Sequence, residues 1–380
     1  MIILGIETSC DETAGAVVDS GTTILSNAVA SSVDMHAETG GIIPENAARQ
    51  QIRSIIPIIS EVLDIFNEQY KMTKDREDSS QKNSKNTFTS TKDLQKIDKN
   101  IIKNIDAIAV TYGPGLIGSL LVGVETAKTL SYVWDKPIVP VNHLVAHIYA
   151  NFINESKHSD LKSQNKTPDF PSLALVVSGG HTDLVMMKNH GDLEWIGGTR
   201  DDAAGEAFDK CARLLGLPYP GGPAISKKAE EFLSHKKNEK LQMFPRPIIN
   251  EKNYDWSFSG LKTAVLREVQ ETKNIEQKTS RFSAEIQEAI VDVLVEKSIR
   301  AIKEYQPRSF LLSGGVAANK RLKEVIQKRI KEEKVSVDFF APEPKLSTDN
   351  AAVIASAAFF NYSPIPWSEV DANPQLSITG

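Results

Sequence analysis

The chain has 380 residues, of which 41% are hydrophobic, and a formal net charge of −5. This length and composition predict a globular protein of about two domains, and the charge argues against a nucleic-acid grip spread over the whole surface. The two cysteines, Cys10 and Cys211, lie far apart, which excludes a disulfide framework and a cysteine zinc knuckle and favours a reducing compartment.

Neither a membrane span nor a signal peptide is predicted. No apolar run reaches the roughly 18 residues that a transmembrane helix needs. The opening residues, MIILGIETSC, lack a basic segment and a small-residue cleavage site. We therefore expect a cytoplasmic protein with no membrane partner.

The N-terminal part of the chain alternates short β-type runs with glycine turns. Residues 2–8, 13–20 and 22–31 each favour a strand, and together they suit the opening meander of an α/β domain. Residues 44–67 carry large apolar side chains at helical spacing, which predicts an amphipathic helix. Those apolar positions are Ile52, Ile55, Ile56, Ile59, Val62, Leu63 and Phe66.

Two polar stretches interrupt the chain, at residues 71–100 and 154–169. The first has few apolar side chains among many lysines, serines and asparagines, so it cannot bury enough surface to offset its ordering entropy. The second has mixed charge and ends in a proline-flanked entry to the next strand. Both are predicted to be loop insertions, the first of them flexible at least in part.

A G-x-G-x-x-G pattern at residues 113–118 lies between a predicted strand and a predicted helix. In a dinucleotide-binding fold the next strand would end in an acid that binds the ribose. Residues 137–141 lead instead into Asn142 and His143, which argues against nicotinamide binding. Two interpretations stay open: a tight strand-to-helix turn, and a helix N-terminus that offers backbone N–H groups to an anion.

The tripeptide Ser-Gly-Gly occurs at 178–180 and at 313–315, each time directly after a short apolar strand. Glycine lets the backbone approach a phosphate without a Cβ in the way. Two such turns at matching positions favour a cradle for a nucleotide or an acyl phosphate, whereas the GxxxxGK[ST] pattern of P-loop NTPases is absent. Residues 172–188 resemble the opening hairpin at 6–18, which indicates two related halves with a ligand cleft between them.

Residues 199–217 carry several acids around the start of a predicted helix. Asp201 and Asp202 are expected to cap that helix. Asp209 lies further along and precedes the close-approach turn at Gly221-Gly222. An acid beside such a turn suits a ribose or an amine.

His143 and His147 are four residues apart, so a helix places both rings on one face. Asn142 suits the N-cap of that helix. The spacing alone favours polar residues at a core edge over a metal site, and a zincin-type protease is excluded because position 144 is leucine. A cation near a helix N-terminus meets an unfavourable dipole, so a metal here needs an anionic third ligand. Asp349, at a predicted helix start, is the candidate, with helix capping as the alternative.

Ten sequence blocks, taken together and in this order, identify a resemblance to one known family. They are GIETSCDETAGAVV, TGGIIPENAARQQ, TYGPGLIGSLLVG, NHLVAH, VVSGGHTDLV, DDAAGEAFDK, YPGGPAI, FSGLKTA, LSGGVAANKRL and STDNAAVIA. The chain resembles the TsaD family, the catalytic subunits of the tRNA threonylcarbamoyladenosine transferase system. The resemblance covers almost the full length outside the two insertions.

The resemblance implies an α/β fold of two related actin-like, sugar-kinase-like (ASKHA) lobes with a cleft between them. Residues 1–170 and 171–340 would form the lobes, and residues 341–380 would return toward the cleft. It implies transfer of the L-threonylcarbamoyl group from threonylcarbamoyl-AMP to N6 of the adenosine 3′ to the anticodon, in tRNAs that read ANN codons, with release of AMP. The alternative is an actin-like ATPase or kinase, which would hold Mg²⁺ on carboxylates rather than on imidazoles.

The resemblance also implies a set of site residues. His143, His147 and Asp349 would bind one divalent metal ion per subunit, either Fe²⁺ or Zn²⁺. Ser226 stands where some relatives carry an acid that contacts the nucleotide. The residues that would hold the adenylate are Val176, Val177, Ser178, Gly179, Gly180, Asp209, Gly222 and Asn319.

One position departs from the family pattern. The family usually has an acid between the two histidines, as in HxEAH, and this chain has Val145 there. Asp11 and Glu12 remain as the acids that could assist catalysis. The implied partners are tRNA, TsaB-like and TsaE-like accessory proteins, and a TsaC-type enzyme that supplies threonylcarbamoyl-AMP.

Overall fold

The computed structural model describes residues 1–33, 35–36, 40–77, 99–154, 166–236 and 239–380. Its first sheet has the strand order β3-β2-β1-β4-β5. The strands β1, β2 and β3 form the predicted antiparallel meander, and β4 and β5 continue the sheet in parallel with β1. The bounds are β1 (Ile2–Glu7), β2 (Glu12–Asp19), β3 (Thr23–Ser31), β4 (Ala107–Gly113) and β5 (Ile138–Asn142).

The second sheet repeats this arrangement with the order β10-β9-β6-β7-β8. The strands β6, β7 and β8 are antiparallel neighbours, and β9 and β10 continue the sheet in parallel with β6. The bounds are β6 (Ser172–Val177), β7 (Thr182–Asn189), β8 (Asp192–Gly198), β9 (Ser309–Ser313) and β10 (Asp338–Phe340). Because strand order and strand direction both match, the prediction of two related α/β lobes is confirmed. The limits at residues 170 and 340 stay a prediction.

Helices pack on both sheets. None of the described helices is both long and apolar enough to cross a membrane. Their bounds are α1 (Pro44–Glu77), α2 (Lys99–Lys103), α3 (Ile117–Trp134), α4 (His143–Tyr149), α5 (Ala204–Leu214), α6 (Gly221–His235), α7 (Ser259–Glu271), α8 (Ile275–Tyr305), α9 (Lys320–Glu332), α10 (Pro344–Ser347) and α11 (Ala351–Phe360).

The predicted helix over 44–67 is confirmed, and it continues to Glu77. The prediction of a loop is therefore wrong for residues 71–77, where lysine, methionine, arginine and glutamate are good helix formers. It is also wrong for residues 99–100, which begin α2. Residues 78–98 and 155–165, the centres of the two predicted insertions, lie outside the described residues.

Two short helices, α4 and α11, lie where the two sheets meet. Residues 351–358 of α11 are all buried, as expected for a helix that is apolar on every side. One core cluster unites Ile3 of the first sheet, Leu311 of the second, Leu144 of α4 and Ile354 of α11. Residues carried by α4, or placed just before α11, are therefore held at the junction of the lobes.

Gly5 allows α11 to lie close against β1. A Cβ at this position would lie 2.3 Å from the carbonyl oxygen of Ala351 and 3.0 Å from the amide nitrogen of Ala355. Both are backbone atoms, so the helix would have to move. We expect Gly5→Ala to lower the free energy of unfolding by about 1–3 kcal/mol, the usual cost of overpacking.

Urea unfolding measures this loss, and Gly15→Ala is the matched control on β2. A Cβ there would first meet side-chain methyl groups of Ile58 and Val62 at 3.3 Å, which can shift slightly. The control is expected to lose less stability than Gly5→Ala. An equal loss in the two variants would contradict the close-approach role of Gly5.

Candidate metal centre and active site

His143, His147 and Asp349 converge on one point between the lobes. His143 Nε2 lies 3.2 Å from His147 Nε2, and Asp349 Oδ1 lies 3.3 Å from His147 Nε2 and 3.6 Å from His143 Nε2. Ligands about 2.1 Å from a tetrahedral ion lie about 3.4 Å from one another. The three atoms thus have the chemistry and the spacing of ligands to a single metal ion.

Local capping explains how these side chains come to face one another. Asn142 Oδ1 accepts hydrogen bonds from the two backbone N–H groups of the next turn, at 2.9 and 3.3 Å. This confirms the predicted N-cap and starts α4 at His143. Asn350 caps α11, so the capping interpretation of Asp349 is wrong, and its carboxylate is left to face the histidines.

The electrostatics of the cluster favour a cation. Burial disfavours a charged ring at His143, but the carboxylates of Asp349 and Glu7 outweigh it and raise the pKa of His143 to about 9. Burial also disfavours a charged Asp349, but His143 and His147 outweigh it and lower the pKa of Asp349 to about 2. The ionised carboxylate of Asp349 thus faces both imidazole rings.

Glu7 and Ser9 lie on the opposite side of the His143 ring. His143 Nδ1 is 3.2 Å from Glu7 Oε2 and 3.2 Å from Ser9 Oγ. Glu7 is 1% exposed and also accepts hydrogen bonds from Ser9 N and from Thr111 Oγ1. The sequence reasoning missed Glu7, although an acid at the end of a buried strand in IETSC was a signal.

Asp11 and Glu12 lie beside Asp349. One oxygen from each of these three carboxylates lies within 4.8 Å of the others. Burial and the charge of Asp349 raise the pKa of Glu12 to about 10. The loop that carries these acids is held by Gln51 of α1, whose Nε2 lies 3.0–3.2 Å from three of the loop's carbonyl oxygens. The structure therefore brings the two predicted catalytic acids to the metal candidate, and it adds Gln51 as a support.

The first Ser-Gly-Gly turn joins β6 to β7. Ser178 N donates to the carbonyl oxygen of His181 at 2.9 Å, which closes the turn. A Cβ at Gly179 or at Gly180 would meet nothing within 4 Å, so both glycines border open space. The N-terminus of α5 lies against the turn, because Gly205 N donates to the carbonyl oxygen of Ser178 at 3.1 Å.

The end of β6, just before this turn, has only backbone groups with which to contact a ligand. The side chains of Val176 and Val177 are fully buried. In the second turn, Gly314 has φ +86 and approaches the carbonyl oxygen of Val177. Gly315 borders open space in the same way as Gly179 and Gly180. The two turns therefore meet at the ends of neighbouring strands, as their matching positions predict.

The side chain of Asp209, on α5, reaches the start of α6, where Gly222 lies. Asp209 Oδ1 accepts a hydrogen bond from Gly221 N at 2.7 Å. Burial raises the pKa of Asp209, and the N–H groups of Gly221 and Gly222 act in the opposite direction. A Cβ at Gly222 would meet nothing within 4 Å. Asp209 therefore has a structural partner already, and its contact with a ribose stays a prediction.

Asn319 links three elements of the second lobe. Its Nδ2 donates to Ser226 Oγ of α6 at 3.0 Å and to Gln287 Oε1 of α8 at 3.2 Å. Its Oδ1 accepts from Leu322 N at 2.9 Å and caps α9. The structure thus brings Asn319 and Ser226 into direct contact, a pairing that the sequence did not indicate.

The predicted capping of α5 by Asp201 or Asp202 is wrong. The N-cap of α5 is Ala203 without a side-chain cap, and Ala204 N donates to Thr182 Oγ1 at 2.9 Å. Asp201 instead accepts a hydrogen bond from Phe258 N at 2.8 Å, just before α7. The partner of Asp201 lies 57 residues away along the chain, so local spacing did not reveal it.

His181 is a second residue that the sequence reasoning missed. It directly follows the first Ser-Gly-Gly turn, and that position was the available signal. Burial lowers the pKa of His181 to about 4, and the nearby rings of His143 and His147 act in the same direction. His181 therefore lies beside the glycine turn of the second lobe and near enough to the candidate ligands to interact with their charges.

Val145 lies on α4 between the two histidines and packs at the edge of the core that joins the lobes. The side chain of Val145 is half-buried and offers no polar atom. The departure from the family pattern therefore replaces a carboxylate by an apolar contact, and it leaves the histidine pair in place.

Comparisons with known proteins cover nearly the whole chain. The family model described as TsaD, tRNA N6-adenosine threonylcarbamoyltransferase, matches residues 23–72 and 77–356. The chain is 42% identical over 378 residues to the tRNA N6-adenosine threonylcarbamoyltransferase of Syntrophomonas wolfei, covering 99% of this chain and 97% of that one. It is 44% identical over 384 residues to the protein with the same description from Thermomicrobium roseum, covering 95% and 92%.

Solved structures show the fold alone. The crystal structure of HypF from T. kodakarensis is similar with a TM-score of 0.53 at 14% identity, covering 95% of this chain and 47% of that one. The predictions of the family and of the two-lobed fold are confirmed, and the ATPase or kinase alternative is the less well supported. The chain therefore belongs to the TsaD family of tRNA-modifying enzymes, which place a threonylcarbamoyl group on N6 of an adenosine in tRNA.

Proposed function

We propose that the chain transfers the L-threonylcarbamoyl group of threonylcarbamoyl-AMP to N6 of the adenosine 3′ to the anticodon, in tRNAs that read ANN codons. A bond forms between N6 and the carbamoyl carbon, the bond from that carbon to the phosphate oxygen breaks, N6 loses one proton, and AMP leaves. The observation that carries this proposal is the convergence of His143, His147 and Asp349 on one point. The glycines of the two Ser-Gly-Gly turns, Gly179, Gly180 and Gly315, border open space as a cradle would require.

His143, His147 and Asp349 would hold one divalent metal ion, Fe²⁺ or Zn²⁺. Two imidazoles and one carboxylate suit either metal, with positions left open for substrate. When bound, the ion supplies a Lewis acid and a template for the threonylcarbamoyl group. The capped helix α4 orients the two histidines before the ion arrives, and Asp349 supplies the negative charge that offsets the helix dipole.

The glycine turns would hold the adenylate. Backbone N–H groups near Gly179, Gly180 and Gly315 can approach a phosphate closely, because no Cβ occupies the open space beside them. Holding the phosphate there favours the departure of AMP. We assign Gly222 and Asp209 to the nucleoside side of the same cradle, because Asp209 accepts a hydrogen bond from Gly221 N, next to Gly222.

Asp11 and Glu12 would assist on the acceptor side. Their carboxyl oxygens lie within 4.8 Å of Asp349, and Gln51 of α1 donates a hydrogen bond to the carbonyl oxygen of Cys10, just before them in the chain. An adenine amine is a poor nucleophile, so positioning of N6 supplies much of the rate. Carboxyl oxygens of these two acids that accept hydrogen bonds from N6 would provide that positioning.

Protein partners are part of the proposal. The chain would act with TsaB-like and TsaE-like proteins and receive threonylcarbamoyl-AMP from a TsaC-type enzyme, as its family suggests. The enzyme acts on tRNA; a cytoplasmic location stays a prediction.

Gly180→Ala tests the cradle. We expect the KM for threonylcarbamoyl-AMP to rise about tenfold or more, which corresponds to about 1.4 kcal/mol of lost binding. The melting temperature should not change, because the added Cβ has no neighbour within 4 Å. The assay follows the modified nucleoside in tRNA, with the partner proteins present. An unchanged KM would contradict the cradle, whereas no product from the wild-type protein would contradict the proposed reaction.

A further inference from the structure

The two rings of the metal candidate are held in different ways. His143 Nε2 faces His147 and Asp349, while its Nδ1 faces Glu7 and Ser9 on the other side. His147 also directs Nε2 at the cluster, but its buried Nδ1 has no hydrogen-bond partner among the described residues. Of the two histidines, His143 is therefore the one whose second nitrogen is held by the protein.

Glu7 is built to accept a hydrogen bond at this place. It is 1% exposed, and an unpaired buried carboxylate would be strongly unfavourable. Ser9 N donates to Oε1, and Thr111 Oγ1 donates to Oε2. Oε2 faces His143 Nδ1 at 3.2 Å, so a third donor on the ring completes the set.

We propose that Glu7 is a positioning residue that accepts the Nδ1–H of His143, so that Nε2 is the nitrogen directed at the metal. This rests on the proposed metal function. A carboxylate behind a ligating imidazole sets its tautomer, fixes the orientation of the ring and raises its basicity. Glu7 is the last residue of β1, and His143 directly follows β5. The first sheet therefore fixes the position of Glu7 relative to the His143 ring.

Glu7→Gln keeps the size of the side chain and removes its charge. We expect the affinity for Zn²⁺ to fall about 10- to 100-fold, the usual effect of losing such a partner. The visible absorption of the Co²⁺-substituted protein should change as well, because the His143 ring is no longer fixed. Both measurements use the full chain and do not depend on transfer to tRNA.

Thr111→Val is the matched control. It removes the hydroxyl that bonds to the same oxygen of Glu7, but it leaves the contact between Glu7 and His143. We expect its Zn²⁺ affinity to stay within about threefold of the wild-type value, because the Glu7 carboxylate that faces His143 is intact. Wild-type affinity in Glu7→Gln, or an equal loss in both variants, would overturn the proposal.

A measurement on the wild-type protein covers the case in which Glu7→Gln does not fold. In the Zn²⁺ form with ¹⁵N-labelled histidine, His143 should show a protonated Nδ1 whose proton exchanges slowly, and His143→Ala should lack that signal. An unprotonated Nδ1 would overturn the proposal. If the wild-type protein binds no Zn²⁺, the metal function fails and this inference falls with it; if it binds Zn²⁺ and Glu7→Gln binds equally well, only this inference fails.

Discussion

Replacing His147 by alanine is expected to remove the metal ion and to lower the rate of transfer to tRNA by about 10²- to 10⁴-fold. His147 is 1% exposed, and its Nε2 is close to both of the other candidate ligands, at 3.2 and 3.3 Å. Without this ring only His143 and Asp349 remain of the three candidate ligands. Metal content of the purified protein and the initial rate of nucleoside formation measure the two effects.

His190→Ala is the matched control for this variant. His190 is a half-buried histidine that stacks on Phe360 with ring centroids 4.4 Å apart, in an aromatic cluster that does not include the candidate ligands. We expect this variant to retain one metal ion per chain and most of the activity. If His147→Ala retained metal and activity as the control does, the assignment of the ligands would be wrong.

Replacing Gly314 by alanine is expected to destabilise the second lobe and to abolish binding of the adenylate. Gly314 has φ +86, and an added Cβ would lie 2.4 Å from the carbonyl oxygen of Val177. Strain at such a backbone position costs about 1–3 kcal/mol, and the overlap with backbone adds about 1–3 kcal/mol. The overlap would push the two Ser-Gly-Gly turns away from each other, because Val177 leads into the first turn and Gly314 lies in the second.

Thermal and urea unfolding measure the loss of stability, and AMP binding measures the cradle. Gly315→Ala separates the two effects, because a Cβ there would meet nothing within 4 Å. This neighbouring variant should keep the stability of the wild-type protein while weakening AMP binding. Equal stability in Gly314→Ala and Gly315→Ala would contradict the close contact between the turns.

The sequence predicted those features of the fold that depend on residues close together in the chain. The apolar spacing in residues 44–67 predicted α1 because burial of one face decides where a helix forms. Asn142 predicted the start of α4 because a side-chain cap acts within one turn. The resemblance of residues 172–188 to the opening hairpin at 6–18 predicted two related lobes, and the shared strand order of the sheets confirms them.

Contacts between distant residues were not predictable in the same way. Glu7 meets His143 across 136 residues, and Asp201 meets Phe258 across 57. Neither pairing leaves a spacing signal, since the topology of the sheets and helices brings the partners together. Asp349 was a candidate because a metal near a helix N-terminus needs an anionic ligand, and the family resemblance then joined it to the histidines. The close approach of α11 to β1 at Gly5 helps to place it there.

The most direct test of the account is transfer of the threonylcarbamoyl group to unmodified tRNA in a purified system. The wild-type chain, its partner proteins, threonylcarbamoyl-AMP and a tRNA that reads an ANN codon are combined, and the modified nucleoside is quantified after digestion. We predict product from the metal-loaded wild-type protein and a loss of about 10²-fold or more when His143 and His147 are both replaced by alanine. Equal product from the doubly substituted protein would contradict the metal centre, and no product from the wild-type protein with any combination of partners would contradict the proposed reaction itself.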